Sequence, residues 1–150
     1  METKLYIRDG KRFKYVPNMI GMYWNGIILT KEKIQDNIAM VDSIAVVIEQ
    51  HYDYVTMASL RTSSSMNWFN AKEWCLHAFN DVYQGRLPSK TELTMLHKCA
   101  DNVPIWGKEH SNNTAWYLSW SNGYVSYTDK DYSNCIKAIA VTYVPILNLI

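Results

Sequence analysis

Residues 85–93 read Gly-Arg-Leu-Pro-Ser-Lys-Thr-Glu-Leu, and no other stretch of the chain restricts its fold as tightly. Gly85 breaks what precedes it, and Pro88 presets the backbone for a first helical turn. Ser89 and Glu92 stand three apart, the spacing at which a hydroxyl and a carboxylate each satisfy an orphan N–H at a helix start. A helix is therefore expected from Pro88-Ser89, with Leu93, Leu96 and Ala100 along one face and Asp101-Asn102 and Pro104 ending it. Upstream, Trp68, Ala71, Cys75, Ala78 and Val82 recur at helical spacing. That stripe predicts a first helix, capped by Asn67 or Ser65 and stopped by Gly85.

Strand patterns flank this helix pair. Leu5-Tyr6-Ile7 and Phe13-Lys14-Tyr15 are joined through Asp9-Gly10, which suits a tight hairpin. Pro17 interrupts, and Asn25-Gly26 offers a second turn between Met22-Tyr23-Trp24 and Ile27-Ile28-Leu29. After a polar stretch at 30–37, residues 44–49 form a β-branched apolar run expected to be a buried strand, with 54–60 as its neighbour. Beyond the helices, residues 114–120 alternate, Ser121-Asn122-Gly123 is a turn, and Tyr124-Val125-Ser126-Tyr127 returns. Residues 135–144 are mostly apolar and predict a long final strand. Strands, then helices, then strands indicate α+β rather than alternating α/β.

A chain of 150 residues suffices for one hydrophobic core, and 48% hydrophobic with 19% charged residues is a globular composition. The net charge of +1, without a basic stripe, argues against nucleic acid as a partner. No apolar run reaches the roughly 18 residues of a membrane span, and residues 1–8 lack the apolar stretch of an export signal, so neither membrane insertion nor its own export is expected. The aromatics are skewed: 11 Tyr and 6 Trp against 3 Phe. Tyr and Trp join a large apolar body to a polar handle and serve binding surfaces as well as cores.

Chemistry-bearing patterns are sparse. His51, His77, His97 and His110 show no zinc-ligand spacing, and Cys75, Cys99 and Cys135 show no CxxC. Cys75 and Cys99 fall on apolar stripes, where a thiol behaves as a small hydrophobe. No nucleophile elbow, P-loop or dinucleotide fingerprint is present in the sequence. Asn112-Asn113-Thr114 matches a glycosylation sequon but reads as a polar loop. No catalytic set, cofactor or metal site is expected.

Taken as a set, Trp68, Ala71 and Cys75, the Gly85-to-Leu93 run, Trp106, Ala115-Trp116-Tyr117-Leu118-Ser119, Asn122-Gly123 and Cys135-Ile136-Lys137 resemble the C-type-lectin-like fold. The likeness is greatest to bacterial and phage lectin-like domains with an Arg-Leu-Pro-[Ser/Thr]-x-x-Glu-Leu signature, and it covers about two thirds of the chain. It implies an α+β domain at 41–150 with two helices and a twisted antiparallel sheet, preceded by a small N-terminal β attachment module at 1–40. The sequence departs from the family at Tyr83-Gln84-Gly85 and lacks the Glu-Pro-Asn and Trp-Asn-Asp triplets of calcium-dependent sugar binders. By position, the resemblance implies a Cys75–Cys135 bridge in an oxidising compartment, where it contributes about 4 kcal/mol.

The function so implied is that of a non-enzymatic virion structural or adhesion protein of a tailed phage, a head or tail fibre or decoration component. It is assembled in the host cytoplasm, docked through residues 1–40, and displays its lectin-like part to a host-surface protein or glycan. Its expected partners are itself, as a homo-oligomer, and other virion proteins. A lectin-like surface or secreted module of a gut-type bacterium and a small cysteine-dependent enzyme are the alternatives. The candidate binding residues are Trp120, Tyr124, Tyr127, Tyr117, Asn122 and Asn113, because aromatic anchors among small polar residues make adaptable contact surfaces. Trp106 and Trp116 are expected in the core.

Overall fold

The computed structural model describes residues 5–9, 12–96, 103–119 and 123–150, with side chains from residue 16 onward. The chain is α+β, with two α-helices and antiparallel sheets among the described residues. It divides into two compact units, Met1–Ala58 with Thr142–Ile150, and Ser59–Val141.

In the first unit, β1 (Leu5–Asp9) and β2 (Arg12–Val16) form the expected antiparallel hairpin, with Leu5 opposite Val16 and Asp9 opposite Arg12. The turn at Asn25-Gly26 also forms. The Asn25 side-chain oxygen accepts the N–H groups of Ile27 and Ile28, both at 2.9 Å, and Gly26 takes a φ of 96°. It joins β3 (Tyr23–Trp24) to β4 (Leu29–Thr30), the end of a five-stranded sheet. The other strands are β5 (Ala45–Gln50), β6 (Tyr54–Ser59) and β10 (Val141–Pro145), in the order β10-β6-β5-β3-β4. Trp24, Val47, Val55, Met57 and Val144 are buried.

Residue 40, the expected end of the attachment module, lies within the first unit. Two-residue strands gain little from pairing only with each other. Here β3 pairs with β5, Tyr23 opposite Val46, so one sheet runs across that position.

In the second unit, α1 (Trp68–Leu76) is capped by Asn67, whose side chain accepts the Asn70 N–H at 2.9 Å. It buries Trp68, Ala71 and Cys75, as the stripe predicted. It ends at Leu76, though, before Val82. Asn80 and Asp81 adopt positive φ (54° and 61°), a helix-terminating conformation, and Val82 is exposed. Helix α2 (Lys90–Leu96) starts where the capping box placed it and buries Glu92, Leu93 and Leu96; Ala100 lies outside the described residues.

Helix α2 packs on a three-stranded antiparallel sheet of β7 (Ile105–Glu109), β8 (Thr114–Leu118) and β9 (Val125–Asp129), ordered β7-β8-β9. The expected final strand at 135–144 is shorter than predicted, since only Val141–Pro145 pairs as a strand. Residues 136–140 are largely buried, but their backbone bonds are spread over several partners instead of one neighbouring strand. Lys137 bonds Pro104 and Trp106, Ala138 bonds Ser63, and Ala140 bonds Ser59. An apolar run therefore marked burial here, not a ladder.

Candidate functional site

The Gly85-to-Leu93 run forms a clasp. Arg86 grips Glu92 with both guanidinium nitrogens, at 2.6 and 2.8 Å, and also donates to the Leu87 carbonyl at 3.2 Å. Glu92 accepts the Ser89 N–H at 2.9 Å, and the Ser89 hydroxyl accepts the Glu92 N–H at 3.2 Å. Burial works to raise the Glu92 carboxyl's pKa, but the hydrogen bonds from Arg86 and Ser89, with the guanidinium charge, hold it below its ordinary value. The clasp fixes where α2 begins, and α2 in turn lies over β7, β8 and β9.

Strand register sorts the aromatic residues of this sheet. Trp116 stands opposite Tyr127 and Tyr117 opposite Ser126, so Trp116 and Tyr127 share one face and Tyr117 lies on the other. His110 completes the first group. Its ring stacks on Tyr127 at 4.0 Å with 6° between planes, and Trp116 meets His110 and Tyr127 edge-on at 4.6 and 5.7 Å. The Lys90 ammonium sits 4.5 Å over the Trp116 ring. His110 Nδ1 is also 2.8 Å from the Thr114 hydroxyl. Trp106 is buried, its indole N–H donating to the Met66 carbonyl at 2.8 Å. Trp116, expected in the core, is instead half-buried within this surface cluster.

The four predicted binding residues that are described, Tyr117, Tyr124, Tyr127 and Asn113, do not form one patch. Tyr127 joins the cluster and is 55% exposed. Tyr124 is 70% exposed, and its carbonyl accepts the Ser119 N–H at 2.8 Å. Asn113 is exposed, and its carbonyl accepts the Lys130 N–H at the opposite end of β9, about 20 Å away by strand rise. Tyr117 is half-buried on the other face. Trp120 and Asn122 lie outside the described residues.

Two cationic contributors were not foreseen. Lys90 reaches Trp116 from α2, and Lys130 is almost fully buried. The Lys130 ammonium donates to Glu109 at 2.7 Å and to the Asn112 carbonyl at 2.9 Å, and lies 4.4 Å over the Trp68 ring. Its carbonyl accepts the Trp68 N–H at the start of α1. One side chain thus ties the end of β9 to α1 and to the β7–β8 hairpin. The Lys130 hydrogen bond and charge also hold the Glu109 carboxyl below its usual range.

The cysteines do not form the bridge that the resemblance implied: Cys75 is buried, Cys135 is exposed, and both are free thiols. Burial pushes the Cys75 thiol up to about 12, leaving it protonated at neutral pH and ill-suited to act as a nucleophile. Cys99 lies outside the described residues. Among the described residues no cluster of His, Cys, Asp and Glu is placed to hold a metal ion, and no helix is long and apolar enough to cross a membrane. No protein-family model matches the chain, and no curated protein matches it.

Proposed function

We propose that the chain is a non-enzymatic adhesion protein of a tailed-phage virion, whose second unit is a lectin-like scaffold presenting an aromatic surface to a host-surface glycan. The carrying observation is the His110–Trp116–Tyr127 stack, an aromatic group left at the surface although Trp106, Phe79 and Leu118 fill the interior. Rings that brace one another lose little further freedom on binding, so they serve as rigid anchors. Ser111, Asn112 and Asn113 stand exposed in the adjoining hairpin, and small polar groups there supply hydrogen bonds to hydroxyls. The lectin-like reading is supported by the helix pair, the Arg86–Glu92 clasp and the antiparallel sheet that follows. The virion setting rests on the resemblance of the Gly85-to-Leu93 run.

The test replaces Tyr127 by Ala and measures binding of the purified chain to host cells and to a glycan array. The expected loss is about 2 kcal/mol, roughly thirtyfold in affinity, with the melting temperature nearly unchanged. Unchanged binding, or a collapse in stability, removes the ring from any contact surface. Mass spectrometry of purified particles tests the setting, and absence of the chain from them overturns it.

A further inference from the structure

A groove of about 360 Å³ opens in the second unit, bordered by α1, the segment 85–87 and β7. Its inner wall is apolar: Trp68, 6% exposed, with Leu76 and Leu87. The indole is held in place because its N–H donates to the Gly107 carbonyl at 2.9 Å. Four charged residues line the groove, and two of them are already neutralised. Arg86 is taken by Glu92 and Glu109 by Lys130. The other two, Lys72 and Lys108, are exposed and make no ion pair within 4.0 Å among the described residues, though the Lys72 charge also acts at longer range on the Glu109 carboxylate. The Lys72 ammonium leans over the Trp68 ring at 5.4 Å, so it stands at the edge of the apolar wall.

We propose that this groove binds a small carboxylate carried on a compact ring. The volume suits a small molecule, being near the lower end of ligand pockets. The paired state of Arg86 and Glu109 leaves the groove a surplus of positive charge, contributed by Lys72 and Lys108. A carboxylate meeting those ammoniums makes charge-assisted hydrogen bonds, and its ring covers the Trp68–Leu87 wall and lowers the local dielectric around them. Acidic sugars and arylacetic acids share this chemistry. The site uses none of the residues of the His110–Trp116–Tyr127 stack and does not depend on the adhesion reading.

Isothermal titration of the full chain tests the proposal. Glucuronate and phenylacetate are the ring carboxylates, glucose and phenylacetamide their neutral counterparts, and acetate and inorganic phosphate the anions without a ring. At least one ring carboxylate is expected to bind at least tenfold more tightly than its neutral counterpart and than either small anion, and the tighter of the two identifies the ligand as sugar or aryl acid. Lys72→Ala and Lys108→Ala are each expected to weaken it about tenfold, with the melting temperature preserved. Lys33→Ala in the first unit is expected to leave it unchanged. Equal binding of the neutral counterparts, equal binding of acetate or phosphate, wild-type affinity in both lysine variants, or no binding by either ring carboxylate overturns the proposal.

Discussion

Arg86 and Glu92 meet through two hydrogen bonds across six residues of chain, and Glu92 is buried while Arg86 is only partly so. Removing the cation therefore strands a buried carboxylate, and Arg86→Ala is expected to cost about 3 kcal/mol in chemical unfolding at pH 7. Folding lowers the Glu92 pKa, so the unfolded chain holds more protons in the acid range. The clasp's contribution is complete above the carboxyl's unfolded value, 4.5, and is lost as pH falls through the lower folded value. The pH-linked part of that loss should vanish in Glu92→Gln. If both proteins lose equal stability between pH 7 and pH 3, another carboxylate is responsible. The sequence pattern carried the Ser89–Glu92 half of this clasp, because those two residues stand at capping-box spacing, and the capping box alone does not call for Arg86. Nor did the pattern carry Lys130, whose partners Glu109 and Trp68 are 21 and 62 positions away and give no local signal.

Two glycines mark where elements approach too closely for a side chain. A Cβ on Gly85 would lie 2.1 Å from the Cys75 carbonyl oxygen, which belongs to the α1 backbone and has little room to shift. A Cβ on Gly107 would lie 2.5 Å from a Leu93 methyl, which can rotate away, and 3.1 Å from the Pro88 carbonyl. Gly85→Ala is therefore expected to cost about 3 kcal/mol and Gly107→Ala about 1–2 kcal/mol by thermal or urea unfolding. Combining Gly107→Ala with Leu93→Ala should cost less than the two single changes added together, because the clash is relieved in the double variant. Strict additivity would show that α2 does not rest on β7 at this point. Legibility at this scale followed the range of the interaction. Both N-terminal hairpins, the Asn67 cap and the start of α2 are local devices and are visible in the sequence. The end of α1 had a signal in Asn80-Asp81, residues that tolerate positive φ, but the apolar stripe continuing to Val82 pointed the other way. The surface placement of Trp116 depends on strand register and on Lys90 and His110 arriving from elsewhere, and alternation alone does not specify it.

At the scale of the whole molecule, the first unit carries an unusual load of exposed aliphatic side chains. Ile20, Ile27, Ile28, Ile38, Met40 and Val41 are all exposed, Ile27 at 71%. They fall on two stretches that the fold brings together, because the Asn25 side-chain amide donates to the Val41 carbonyl at 3.2 Å, tying the later loop to the β3–β4 turn. Aliphatic surface concentrated in this way is costly in water and is ordinarily covered by a partner. If the chain works in an assembly as proposed above, a second copy of it is the expected cover. Light scattering across a concentration series should then show association, and Ile27→Asp combined with Ile38→Asp should shift it to monomer. Because both residues are solvent-exposed, the melting temperature of the dissociated variant should remain within a few degrees of a wild-type sample diluted to monomer. A wild-type chain that stays monomeric at every concentration would remove the self-association reading. Persistence of the oligomer in the double variant would place the contact elsewhere on the molecule.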